Sequence, residues 1–173
     1  EAAMYKALGL PLMRPELRED RGEVSDAFAV PDLSEWDDIG AELHAHTTAS
    51  DGKMTIEELA NEAKSRGYHT IAVTDHSQSS IIPNGLKPDR LAEHIDAVQA
   101  SAKRVKGITL LAGSEVDILT DGELDYEDDL LARLDVVVAS PHAGLRQDTG
   151  KAMTRLLRAI EHPMVHIPSL IHI

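Results

Sequence analysis

The sequence predicts an α/β fold built on a parallel sheet, and three observations predict it. Residues 69–76 and 135–140 are nearly unbroken apolar runs, as strands covered on both faces are. They alternate with segments of helical periodicity, clearest over 88–105, where Leu91, Ile95, Val98 and Ala102 recur on one face. Residues able to carry chemistry fall at or just past the ends of successive runs, the edge at which parallel α/β folds place their sites.

Residues 1–38 stand apart. A short helix over 1–8 ends at Gly9, prolines at 11 and 15 forbid a long continuation, and the acidic stretch to Asp38 has little periodicity, so a connector or surface arm is expected. From Ile39 the pattern is regular. A strand over 41–46 precedes Thr55-Ile56-Glu57-Glu58, a capping box whose helix runs to Arg66 with Gly67 closing it. The strand over 69–76 follows, then the helix over 88–105 with Pro88 in its first turn. A third strand spans 108–118, a small hairpin is expected at Thr120-Asp121-Gly122-Glu123, and a helix covers 126–134. The strand over 135–140 leads into Pro141-His142. A helix over 150–160, with Met153, Leu156, Leu157 and Ile160 on one face, precedes a fifth strand at 164–167.

The chain of 173 residues can bury one core, which aliphatic side chains must supply because aromatics are only 3%. With 17 Lys+Arg against 30 Asp+Glu, the formal charge of −13 has the wrong sign for a stand-alone grip on nucleic acid. It does not exclude phosphate chemistry, because bound cations invert the local field of an acidic pocket. No cysteine is present, so any metal must be held by His, Asp and Glu. No window is apolar enough to cross a bilayer and no secretory signal is seen, so no membrane contact and a cytoplasmic location are expected.

His44 and His46 project from the same face of a strand, with Cα atoms roughly 6.5–7 Å apart, and can reach one ion. Asp51, on the turn that follows, can close the same site. For this pair alone, solvent-exposed loop histidines are the alternative. His76, Glu115 and His142, at three further strand ends, favour a shared site, whereas His69, His94 and His162 lie at a strand start, on a helix and in a loop, with no expected role. Imidazole and carboxylate without thiolate suit Zn²⁺, Mn²⁺ or Fe²⁺. Six candidate ligands exceed what one tetrahedral ion takes, so two or three divalent ions are expected.

His44-Ala45-His46-Thr47-Thr48-Ala49-Ser50-Asp51-Gly52, Thr74-Asp75-His76-Ser77, Gly113-Ser114-Glu115 and Ser140-Pro141-His142 resemble the successive motifs of the PHP (polymerase and histidinol phosphatase) family. The resemblance implies a distorted β/α barrel, seven-stranded in the family and about five-stranded here, holding a trinuclear metal centre that cleaves phosphoesters. It implies His44, His46, Asp51, His76, Glu115 and His142 as metal ligands, Glu115 as the bridging carboxylate, and His76 and Glu115 as central to catalysis. Asp75 is expected to orient a ligand histidine from behind. Arg146 can bind a phosphate oxygen, a solvated loop arginine being the alternative.

Tyr5 to Pro11, Pro15 to Glu19 and Arg21-Gly22-Glu23 resemble the connector before the C-terminal PHP domain of bacterial family X DNA polymerases. Residues 1–38 are then a connector and 39–173 an incomplete PHP phosphoesterase domain. The implied function is 3′→5′ exonuclease action during repair synthesis, with DNA held by upstream polymerase domains. A histidinol-phosphatase-like phosphomonoesterase and an inactive scaffold module are the alternatives. The sequence departs from the family after Ile167. A Gly-His-Pro-Thr-Gly-Arg-like segment, two strand-helix units and a final Asp-x-His pair are expected there, and only His166 and His172 offer local substitutes. An open sheet edge is expected, with the fragment incompletely metallated, inactive, or completed by a second chain.

Overall fold

The computed structural model describes residues 1–25 and 31–169. The chain forms two compact units, Glu1–Asp38 and Ile39–Ile173. In the first, helix α1 (Ala2–Ala7) and two single 3₁₀ turns, Pro15–Leu17 and Trp36–Asp38, are the only regular elements among the described residues. Arg18 forks onto Glu1 at 3.0 and 3.1 Å. Glu23 accepts the amides of Glu19 and Arg21 at 3.0 and 2.7 Å, so local side-chain bonds replace secondary structure.

The second unit is a five-stranded sheet with helices between its strands. In chain order come β1 (Ala41–Ala45), α2 (Ile56–Ser65), β2 (Thr70–Val73), α3 (Pro88–Arg104), β3 (Thr109–Asp117), α4 (Asp128–Leu131), β4 (Val136–Ser140), α5 (Thr149–Ile160) and β5 (Ile167–Pro168). Every neighbouring pair is parallel and the spatial order equals the chain order. This is the order of a β/α barrel, not of a doubly wound sheet, whose order reverses at a switch point. The C-terminal ends of the strands therefore line one continuous edge.

Burial explains the apolar runs. On one sheet face Ile71, Val73, Leu110, Ala112, Val116 and Val137 pack with Leu91, Ile95 and Val98 of α3; on the other, Ala72, Val136 and Val138 form a smaller cluster with Leu111 and Ile167. Alternate residues of one strand thus enter different apolar clusters, which removes the polar alternation of a half-exposed strand. Thr55 caps α2 through the amide of Glu58, whose carboxylate returns to the Thr55 amide at 2.8 Å, as the capping box predicts.

Four expectations shift. The helix expected over 126–134 is confined to Asp128–Leu131, and the 120–123 hairpin reduces to one antiparallel bridge, Ile118 to Leu124. The fifth strand starts later than expected because residues 162–165 turn first, the Val165 amide bonding the His162 carbonyl at 3.0 Å. On α5 the buried residues are Arg155 and Ala159; of the expected face Leu156 packs partly buried against the core, while Met153, Leu157 and Ile160 remain about half exposed. Among the described residues no helix is long and apolar enough to cross a membrane.

Candidate metal centre

The strand-end histidines meet around one carboxylate. Glu115, 4% exposed near the end of β3, places Oε2 3.3 Å from His44 Nε2, 3.2 Å from His46 Nε2 and 3.0 Å from His76 Nδ1. Its Oε1 lies 3.3 Å from His142 Nε2. Asp51 adds Oδ1 at 2.9 Å from His46 Nδ1 and Oδ2 at 3.6 Å from His76 Nε2. The six residues form three overlapping groups able to hold an ion: His44, His46 and Glu115; His46, Asp51 and His76; His76, Glu115 and His142.

These spacings fit metal ligands. Atoms about 2.1 Å from an ion and at 90–109° to each other lie about 3.0–3.4 Å apart, by the geometry of a coordination polyhedron. The buried His46 Nε2 and His76 Nδ1 make no hydrogen bond although each faces Glu115, so their polarity is unmet by protein groups. Burial resists ionisation of Glu115, but the imidazoles of His142, His44 and His46 set against it outweigh this and hold the carboxyl far below its ordinary value. A permanent carboxylate ringed by nitrogen donors suits Zn²⁺, Mn²⁺ or Fe²⁺.

Local structure positions each group. Register slips between Glu42 and Ala45 of β1, and the Thr74 hydroxyl takes the Ala45 amide at 2.9 Å, so His44 sits at the irregularity within the strand and His46 just beyond its last pair, Ala45↔Val73. The next turn closes with the Gly52 amide on the Thr47 carbonyl at 2.8 Å. A Cβ on Gly52 would lie 2.2 Å from the His46 carbonyl oxygen, so only glycine permits this approach.

Asp75 acts differently from expectation. Its fully buried carboxylate orients no ring of the cluster. It accepts the amide and hydroxyl of Thr47 at 2.9 and 2.8 Å and those of Ser50 at 3.1 and 2.6 Å, tying down the turn between His46 and Asp51. His94 of α3, expected to have no role, lies 2.9 Å from Asp75 Oδ2. Burial opposes ionisation of Asp75, yet His94, Ser50 and Thr47 draw its pKa well down.

The carboxylate behind a ring of the cluster is Asp117. It meets His142 Nδ1 at 2.8 Å, takes the His142 amide at 3.2 Å and the Ser80 hydroxyl at 2.6 Å. Bonds to Asp117 and Glu115 push the His142 pKa up to about 9 against burial. For His46, burial works against protonation, but Glu115 and Asp51 prevail and raise its pKa; for His76, burial prevails and lowers it. Sequence reasoning missed Asp117, although Glu115-Val116-Asp117 places both carboxylates on one strand face.

The remaining candidates lie outside the cluster. Arg146 is exposed and has no hydrogen bond or ion pair among the described residues. His166 Nδ1 accepts the Val137 amide at 3.1 Å and joins none of the three groups, and His172 lies outside the described residues. Arg155, 4% exposed, donates instead to the carbonyls of Ala143, Gly144 and Ile118, bracing the loops after β3 and β4.

Comparison with known proteins adds the relatives. The family model described as "PHP domain" matches residues 42–169. The chain is 40% identical over 167 residues to the DNA polymerase/3′-5′ exonuclease PolX of Bacillus subtilis, covering 96% of this chain and 29% of that protein. It is 33% identical over 130 residues to a protein of Syntrophotalea carbinolica described as a probable phosphatase, covering 73% of this chain and 52% of the relative. A protein of Caldicellulosiruptor bescii with the same description is 30% identical over 135 residues, covering 74% and 52%. The chain thus spans between 29% and about half of these relatives' lengths.

Proposed function

The chain belongs to the PHP domain family, and from that premise we propose that it is a metal-dependent phosphoesterase domain that cleaves DNA from the 3′ end as part of a DNA polymerase. The observation that carries the reading is the placement of four imidazoles around the single buried carboxylate of Glu115 at ligand-to-ligand spacing. Residues 39–173 constitute the phosphoesterase domain and 1–38 the connector to polymerase domains that hold the DNA. The charge of −13 supports a nucleic-acid grip supplied by those other domains.

His44, His46, Asp51, His76, Glu115 and His142 would hold two or three divalent ions. When bound, such ions supply Lewis-acid polarisation of the phosphoryl group and offset the charge that develops as the ester bond breaks. The chain's own groups orient the site. Asp117 holds His142 by Nδ1 and so aims Nε2 inward, and Asp75 fixes the turn that sets the distance between His46 and Asp51. No activated serine or cysteine nucleophile is required.

The test is manganese-dependent degradation of 5′-labelled single-stranded DNA by the full-length protein. His44→Ala is expected to reduce the rate by at least about 100-fold, in line with the loss of a metal ligand. An unchanged rate would sink the proposal. The likeness to the S. carbinolica protein favours a second reading, a phosphomonoesterase. Hydrolysis of small phosphomonoesters with oligonucleotides left intact would select it.

A further inference from the structure

A cavity of about 930 Å³ opens beside the cluster. Asp51, His76 and His142 line it together with Ile81, Ile82 and Pro83. A single exposed aliphatic side chain is ordinary, but here two adjacent ones, Ile81 at 84% and Ile82 at 99% exposure, crown one turn. That turn is firmly built. Asp125 takes the Ser79 amide and hydroxyl at 2.7 and 2.6 Å, and the Gly85 amide returns to the Ser80 carbonyl at 2.9 Å. A Cβ on Gly85 would lie 1.8 Å from the Ser77 carbonyl oxygen. The isoleucines are thus presented by a fixed scaffold and line the same cavity as the candidate ligands Asp51, His76 and His142.

The cavity's polar groups narrow the occupant. Its one lining arginine or lysine among the described residues, Arg155, already donates to the carbonyls of Ile118, Ala143 and Gly144, and the cavity's histidines belong to the candidate metal centre. Asp117 and Asp121 also line it, so a second anionic group is disfavoured away from the metal centre. A molecule whose phosphate sits on the cluster would lay a neutral group with an apolar face against the isoleucines. Resting on the phosphoesterase reading above, we propose that Ile81, Ile82 and Pro83 form the subsite for the nucleobase next to the scissile phosphate.

Calorimetric titration of the manganese-loaded protein with thymidine 5′-monophosphate, inorganic phosphate and O-phosphoethanolamine tests this. The nucleotide is expected to bind about tenfold more tightly than phosphate. That factor equals about 1.4 kcal/mol, or about 55 Å² of apolar surface removed from water. In I81S/I82S the preference is expected to fall to within about twofold, with melting curves and manganese uptake checked alongside. Ile82→Ser alone, at a position 99% exposed, gives the same readout if the double variant folds poorly. Equal binding of nucleotide and phosphate by the unsubstituted protein, or a preference that survives substitution, would overturn the subsite. Phosphoethanolamine binding as tightly as the nucleotide would overturn it in favour of an amine held by Asp121. Failure of all three ligands to bind would remove the phosphoesterase reading itself, and the subsite with it.

Discussion

Asp75→Ala should separate the metal-binding turn from the rest of the fold. The carboxylate accepts four hydrogen bonds from Thr47 and Ser50. Thr47 is 1% exposed, so its amide and hydroxyl would both lose their partner away from water. At about 1–3 kcal/mol for each unsatisfied buried donor the loss is about 2–6 kcal/mol. The half-buried Ser50 can recruit water, and removing a buried charge relieves its desolvation, so about 4 kcal/mol is the working figure. For a chain of this length that lowers the melting temperature by roughly 8–16 °C. Manganese affinity should fall about 10–100-fold, because His46 and Asp51 flank the released turn. Asp75→Asn, which keeps the volume and one acceptor oxygen, should lose about half as much stability. The assays are urea denaturation of the metal-free protein and calorimetric metal titration. A stability change within about 0.5 kcal/mol together with an affinity change within twofold would refute the reasoning.

Gly52→Ala would place a methyl group 2.2 Å from the His46 carbonyl oxygen, so the turn must shift; manganese affinity should drop at least about tenfold, as titration would show. In the metal-free protein, NMR titration should find His142 losing its proton near pH 9. Its folded pKa lies above the unfolded value of about 6.5, so the associated stability is fully present below about pH 6.5 and is lost as pH rises through about 9. Asp117→Asn should move that titration down toward 6.5 and flatten the stability profile above it. Full-length protein stripped by chelator should stop degrading DNA and recover on manganese addition, and undiminished activity after verified stripping would contradict the metal requirement.

Much of the site was legible because it depends on a one-dimensional regularity. Parallel strands read as apolar runs, and His76, Glu115 and His142 stand out as the polar residues that end or punctuate them. Their convergence follows from the sequential strand order, which brings all the ends to one edge. The supporting shell was less legible because register and helix placement decide it. Asp117 reaches His142 only because β3 pairs with β4 from Gly113↔Val136 through Asp117↔Ser140. His94 reaches Asp75 only because α3 packs its Leu91, Ile95 and Val98 against the sheet. The 3.6-residue period on α5 puts Met153, Leu156, Leu157 and Ile160 on one face, of which only Leu156 packs against the core, while Arg155 and Ala159 are buried and the arginine bonds loop carbonyls.

The central claim is that Glu115 joins the strand-end histidines into one multinuclear centre. Metal analysis of the protein after manganese loading and removal of free ions, with and without Glu115→Gln, tests it most directly. About two or more ions per chain are expected in the unsubstituted protein and fewer than about one in the variant, because Glu115 belongs to two of the three candidate groups and the third shares His46 and His76 with them. Fewer than about one ion in the unsubstituted protein, or an undiminished content in Glu115→Gln, would contradict it.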